Sequence, residues 1–120
     1  MKKSRRSLHP RLTLWLETSS GEPVFGKGRM IILDAIEAHG SLAAASRALG
    51  MSYRTLWARL RRSEKRLGLR LVVSHAGCGP DSGSVLTPEG RELLERYREL
   101  LRRVNAATAE AAGEILGRPE

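Results

Sequence analysis

The chain has 120 residues, 21 Lys or Arg against 13 Asp or Glu, a formal net charge of +8 and a pI near 10.8. That length suits a single domain with a modest core. A lone cysteine, Cys78, excludes a disulfide framework, and His9, His39 and His75 lack ligand spacing, so neither a metal site nor a cofactor is expected.

Residues 1–11, MKKSRRSLHPR, read as a basic flexible arm whose Lys2, Lys3, Arg5 and Arg6 suit a phosphate backbone. The apolar stretch behind it is only LTLWL, too short for a signal peptide, and nothing approaches the ~18 residues of a membrane span. A cytoplasmic protein without membrane contact is expected. LTLWLE at 12–17 suits a short strand, TSSGEP at 18–23 a turn, and Val24-Phe25 the returning strand of a hairpin. From Lys27 the period becomes helical, with Met30, Leu33, Ile36 and Glu37 on one face, and His39-Gly40 ends the element.

GSLAAASRALGMSYRTLWARLRR at 40–62 carries most of the functional information. Ser41 is an N-cap for a helix with Leu42, Ala45, Ala48 and Leu49 at helical spacing. Gly50 sits where a left-handed residue closes a helix, and apolar Met51 can pin the turn to a core. Ser52 caps a second helix that buries Leu56, Leu60, Ser63 and Leu67, leaving Arg54, Thr55, Arg59, Arg62 and Arg66 outside. Two helices joined by such a turn make a helix-turn-helix, whose second helix fits the DNA major groove. Ser52, Tyr53, Arg54 and Thr55, at its start, are the candidates for base edges. Arg54 suits guanine O6 and N7, and Thr55 a thymine methyl. Arg59 and Arg62 serve phosphate or base, and Ser41 offers a backbone N–H to phosphate. Trp57 is expected to seal the core, with base contact as the alternative.

LRLVVS at 69–74 reads as a strand, HAGCGPDSGS at 75–84 as a loop, and Val85-Leu86 as the matching strand. This wing has no Lys or Arg between Gly77 and Gly83, so it suits backbone contact through Ser82 and main-chain amides. Thr87 as N-cap, Pro88 at the first turn and Glu89-Gly90 begin a helix that runs to Leu116, ~43 Å at 1.5 Å per residue. Along it Leu93, Tyr97, Leu100, Val104, Ala107 and Ala111 form a seam expected to meet a partner helix in a homodimer. Charge is divided unevenly. Residues 1–75 hold 15 basic against 5 acidic residues, a net of +10, and residues 76–120 hold 6 against 8, a net of −2. One surface for a polyanion and another for something else would produce that asymmetry.

The run GSLAAASRALGMSYRTLWARL, the glycine-rich wing and VLTPEGRELL resemble the amino-terminal domain of ModE-type molybdate-responsive regulators, and more broadly the LysR-type winged helix-turn-helix. The Ser52, Tyr53, Arg54 and Trp57 pattern and the opening hairpin fit the ModE type. The resemblance covers roughly residues 12–116 and implies DNA binding as a dimer. The molybdate-binding domains of such regulators are not expected in these 120 residues, nor is a dedicated oxyanion site, so regulation would come from expression level, a partner protein or a separate oxyanion-binding sensor subunit on the last helix. The expected fold is mainly α with small β-hairpins. It divides into a basic arm (1–11), a winged helix-turn-helix DNA-binding domain (12–86) and a long dimerisation helix (87–120). No nucleophile or acid–base constellation is present, so no enzyme is expected. The function expected is a sequence-specific regulator of double-stranded DNA. The alternatives are a less specific nucleic-acid-binding or architectural protein and a protein-interaction module built on the long helix. Only five aromatic residues are present and none cluster on a strand, which counts against RNA.

Overall fold

A computed structural model describes residues 6–74 and 83–117. Two short antiparallel hairpins flank three helices, and a fourth, long helix leaves the body, giving extents of 70 × 32 × 20 Å. The first hairpin pairs β1 (Leu16–Glu17) with β2 (Pro23–Phe25), Leu16 opposite Phe25 and Glu17 opposite Pro23. The strand expected over 12–17 is shorter because Gly26 already caps the next helix, which leaves residues 12–15 no strand to pair with.

Helix α1 (Lys27–His39) buries Ile32, Leu33, Ala35 and Ile36. The expected face holds at Leu33 and Ile36, with Met30 half-buried against the core, while exposed Glu37 pairs with Arg91 instead. Helix α2 (Leu42–Leu49) buries Ala45 and Ser46, whose hydroxyl donates to Ala43 O at 2.8 Å, while Ala48 lies exposed rather than in the core. Gly50 adopts φ 65°, a conformation that a side chain would strain, and Met51 N–H bonds Ser46 O at 2.9 Å to close the turn. Helix α3 (Tyr53–Leu67) follows, burying Leu56, Leu60, Ser63 and Glu64, with Leu67 half-buried.

The second hairpin pairs β3 (Val72–Ser74) with β4 (Ser84–Leu86) in the register Val72–Leu86, Val73–Val85 and Ser74–Ser84. Here too the strand is shorter than the expected 69–74, because Leu69 N–H is spent on Glu64 O at the exit of α3. The wing loop between these strands, with His75, Gly77, Cys78 and Ser82, lies outside the described residues, as does the arm as far as Arg5.

Helix α4 spans Pro88–Leu116, as its caps and period predict. The three polar caps read from the sequence all form: Ser41 accepts from Ala44 N at 3.0 Å, Ser52 from Thr55 N at 3.0 Å and Thr87 from Gly90 N at 2.9 Å. Near its start α4 docks through Leu94 and Tyr97. The Tyr97 ring meets Phe25 edge-on at 5.1 Å and its hydroxyl donates to Leu14 O at 2.9 Å. Burial raises the Tyr97 phenol above its ordinary pKa. Ion pairs Arg91–Glu37 and Arg98–Asp34 fasten the same stretch to α1. Further along, hydrogen bonds from Arg102 and then Arg103 hold the exposed Glu99 carboxyl down to about 2. Among the described residues no helix is long and apolar enough to cross a membrane.

Gly90 sets how close α4 lies to the wing strand. A Cβ there would stand 2.3 Å from Leu71 O, a backbone atom that cannot swing aside. Gly90→Ala should therefore destabilise the fold by about 1–3 kcal/mol, although alanine is the better helix former. Urea unfolding measures this, and a neutral or stabilising result would show that α4 can move off the strand.

Candidate nucleic-acid interface

The outward face of α3 follows from its sequence. With Leu56, Leu60, Ser63, Glu64 and Leu67 turned inward, a repeat of 3.6 residues puts Arg54, Ala58, Arg62 and Lys65 opposite them. Ser52 and Thr55 do more than cap: the Ser52 hydroxyl donates to Thr55 Oγ1 at 2.9 Å, which fixes both side chains at the helix start. Ser41 stands at the start of α2 with its hydroxyl engaged in its own cap. Tyr53 is half-exposed, and Arg54, Arg59 and Arg62 are exposed.

The arginines of the two long helices differ in how they are neutralised. On α4, Arg91, Arg96, Arg98, Arg102 and Arg103 each form an ion pair with a carboxylate. On α3, among the described residues, Arg54, Arg59 and Arg62 have neither a carboxylate nor a hydrogen-bond acceptor. Uncompensated guanidinium groups along one exposed helix face are the electrostatic condition for holding phosphate and reading guanine.

Trp57 does not seal the core. The residue is 44% exposed, with the Arg61 guanidinium 5.3 Å from the ring centroid. The sequence suggested a core position because Trp is apolar, yet it lies some 100° around the helix from Leu56, on the flank facing the wing. Leu42, Tyr53, Leu60, Arg61, Val72 and Ser74 surround it in a small cleft.

Sequence reasoning passed over Glu64, set among RRSEKR as one more solvated charge. The structure buries it to 4% side-chain exposure. One carboxylate oxygen accepts from Leu71 N at 2.7 Å and Val72 N at 3.1 Å; the other meets Arg61 at 2.9 Å and Arg70 at 3.5 Å. The carboxylate therefore binds α3 to the root of the wing. The available signal was position alone: Glu64 falls four residues after Leu60, on the apolar stripe.

The seam expected on α4 is divided. Tyr97, 1% exposed, belongs to the chain's own core with Leu94, so it is withdrawn from any partner, and Leu93 is half-buried against that core. Leu100 is 42% exposed, Val104 is half-buried, and Ala107 and Ala111 are exposed on the part of the helix that outruns the body. At 100° per residue this stripe lies roughly 70° around α4 from the residues that dock on the core.

Residues 28–91 match the family described as bacterial regulatory helix-turn-helix protein, lysR family. The molybdenum-pterin-binding protein MopB of Rhodobacter capsulatus is 35% identical over 72 residues, 60% of this chain and 27% of that protein. The molybdenum transport protein ModE of Azotobacter vinelandii is 33% identical over 72 residues, again 60% and 27%. The chain thus spans about a quarter of the length of these curated relatives. Among solved structures, the DNA-binding domain of CbnR in complex with DNA superposes with a TM-score of 0.55 at 23% identity, covering 72% of this chain and 95% of that one.

Removing the Glu64 carboxylate should loosen the wing from α3. Glu64→Ala leaves the Leu71 and Val72 amides without their acceptor and should cost about 2–4 kcal/mol, while Glu64→Gln, which keeps an acceptor, should cost less. Hydrogen exchange at those two amides, read beside urea unfolding, separates the cases. Equal protection in wild type and Glu64→Ala would remove the carboxylate from this role.

Proposed function

This chain belongs to the lysR family of bacterial regulatory helix-turn-helix proteins, DNA-binding transcriptional regulators rather than enzymes, and on that premise we propose that it acts as a homodimer reading a specific double-stranded site. The observation that carries the reading is the outward face of α3, where among the described residues Arg54, Arg59 and Arg62 stand unpaired while every arginine on α4 from Arg91 to Arg103 is neutralised within the chain. In this reading Arg54 contacts a guanine edge from the first turn of α3, with Tyr53 and Thr55 beside it. Arg59 and Arg62 hold backbone phosphate, Ser41 presents the start of α2 to the same backbone, and Trp57 joins the contact surface on the wing side. Residues 12–86 serve as the reading head and 87–120 as the dimer helix, with the arm over 1–11 adding charge. Such a protein works on chromosomal DNA in the bacterial cytoplasm. Kinship with the molybdenum-linked regulators is supported by the matches to MopB and ModE and by the Ser52, Tyr53, Arg54 and Trp57 pattern.

The exposed stripe of Leu100, Val104, Ala107 and Ala111 supports a two-fold pairing along α4, its alanines allowing close helix approach. Two reading helices so related would meet major-groove faces about 34 Å apart, or a multiple of that.

Two experiments bear on this. Arg54→Ala should lose about 1–3 kcal/mol on the preferred site and relax the choice of base there, with little change on a scrambled duplex. Gel-shift titration decides, and equal loss on both duplexes would remove Arg54 from base reading. Leu100→Asp or Val104→Asp places a charge in the apolar stripe and should yield monomers that bind the site much more weakly. Light scattering behind size exclusion reads the mass; a wild-type monomer at tens of micromolar protein would refute the dimer.

A further inference from the structure

We propose that Arg29, Arg59, Arg62 and Arg66 form a phosphate-binding ledge that grips one strand of the DNA duplex on the flank of α3 away from the wing. The inference rests on the reading of α3 as the groove-entering helix. Arg59, Arg62, Ser63 and Arg66 recur at i, i+3, i+4 and i+7, so they share one flank of α3. Arg29 reaches this flank from α1. Its Nε–H donates to Ser63 Oγ at 2.7 Å, and Ser63 is only 2% exposed, so the guanidinium is pinned at the level of that residue. Arg66 is held as well, through Nη1 to Pro23 O at 2.7 Å. Two of the four cations are thus fixed by bonds to neutral acceptors, and among the described residues neither has a carboxylate partner.

The charges crowd one another. Burial first, and then Arg59, Arg62 and Arg66, pull the Arg29 guanidinium below its ordinary pKa. Glu22 is the carboxylate beside the ledge: it lines the shallow depression that Arg62 and Arg66 share with Ala58, Arg61 and Lys65, and it pairs with none of them among the described residues. A folded chain holds like charges this close at a cost that a polyanion relieves. Arg54, Arg59 and Arg62 connect the ledge to the outward face of α3, so the polyanion that fits is the backbone of the same duplex.

The two flanks of α3 have different neighbours. Tyr53, Trp57 and Arg61 face Leu42 at the start of α2 and Val72 and Ser74 of the wing. The arginine flank faces α1 and the first hairpin. A helix about 10–12 Å across fills a major groove about 12 Å wide and meets a phosphate strand on each side. The α2 start and the wing serve one strand; the ledge serves the other. Arg29 is the residue that this adds to the interface, since it lies outside the helix-turn-helix itself.

Fluorescence anisotropy of the full chain on its selected site and on a scrambled duplex, across a salt series, tests the ledge. Arg29→Gln should lower the slope of log K against log salt by about 0.9 and weaken both duplexes alike, about eightfold at 0.1 M salt. Because Arg29 and Arg66 also make bonds inside the chain, the exposed double variant Arg59→Gln/Arg62→Gln serves as the second measurement, with an expected slope change of about 1.8. Phosphate ethylation interference should map the lost contacts to one strand. Unchanged slopes in folded variants, while the wild type binds DNA, would overturn the ledge and leave the reading helix standing; they would be the result if the patch met an acidic protein instead. Loss confined to the selected site would overturn it too, as base reading. A wild type that binds neither duplex would refute both proposals.

Discussion

The Glu64 carboxylate is the contact on which the geometry of the molecule depends. Burying an ionised carboxylate costs several kcal/mol, and here two backbone amides and two guanidinium groups offset that cost. Glu64 also shapes the exit of its own helix, since its carbonyl accepts from Gly68 N at 2.9 Å and Leu69 N at 3.2 Å. One residue therefore ends α3 and aims the strand that follows. From there the order passes outward. Leu71 O accepts from Thr87 N at 2.9 Å, the Thr87 hydroxyl donates to Arg70 O at 2.7 Å and caps Gly90, and Gly90 packs α4 onto Leu71. The angle between α3 and α4 is thus fixed by a run of short hydrogen bonds rather than by apolar packing alone.

That rigidity matters for a protein whose two surfaces are separated by a helix ~43 Å long. If a second copy pairs along the far end of α4, an error in the angle at its near end is multiplied at the reading head. Four restraints converge on the near end: Tyr97 against Phe25, the Tyr97 hydroxyl on Leu14 O, and ion pairs from Arg91 and Arg98 to α1. The ion pairs are half-exposed and each adds little alone; together with the buried tyrosine they tie α4 to α1 as well as to the wing.

The division of charge has the same logic. Arginines that stiffen α4 are neutralised by carboxylates three or four residues away or on α1. On α3 only Arg61 has such a neighbour among the described residues: Glu64, the only acid in that helix, is turned inward and spent on Arg61 and the wing, which leaves Arg54, Arg59 and Arg62 without a carboxylate. Orienting that carboxylate toward the core holds the wing and also leaves the outer face of α3 purely cationic.

Sequence alone determined whatever depends on neighbours a few residues away. The caps at Ser41, Ser52 and Thr87, the left-handed turn at Gly50, and both ends of α4 were legible because a hydroxyl, a missing Cβ or a proline acts within one helical turn. The same local reading found the exposed arginines of α3. Tertiary structure decided what depends on residues far apart in the chain. Tyr97 fits an intermolecular seam and an intramolecular core equally well by spacing, and only Phe25 and Leu14, more than 70 residues earlier, select the core. Trp57 is apolar enough for a core, yet the inward face of α3 was already filled by Leu56, Leu60 and Leu67. Arg29 joins the arginines of α3 through Ser63, 34 residues away, and Glu64 finds its donors across the turn that it helps to build. A periodicity gives the direction a side chain takes from its own helix; what it meets there is set by the packing of the other elements.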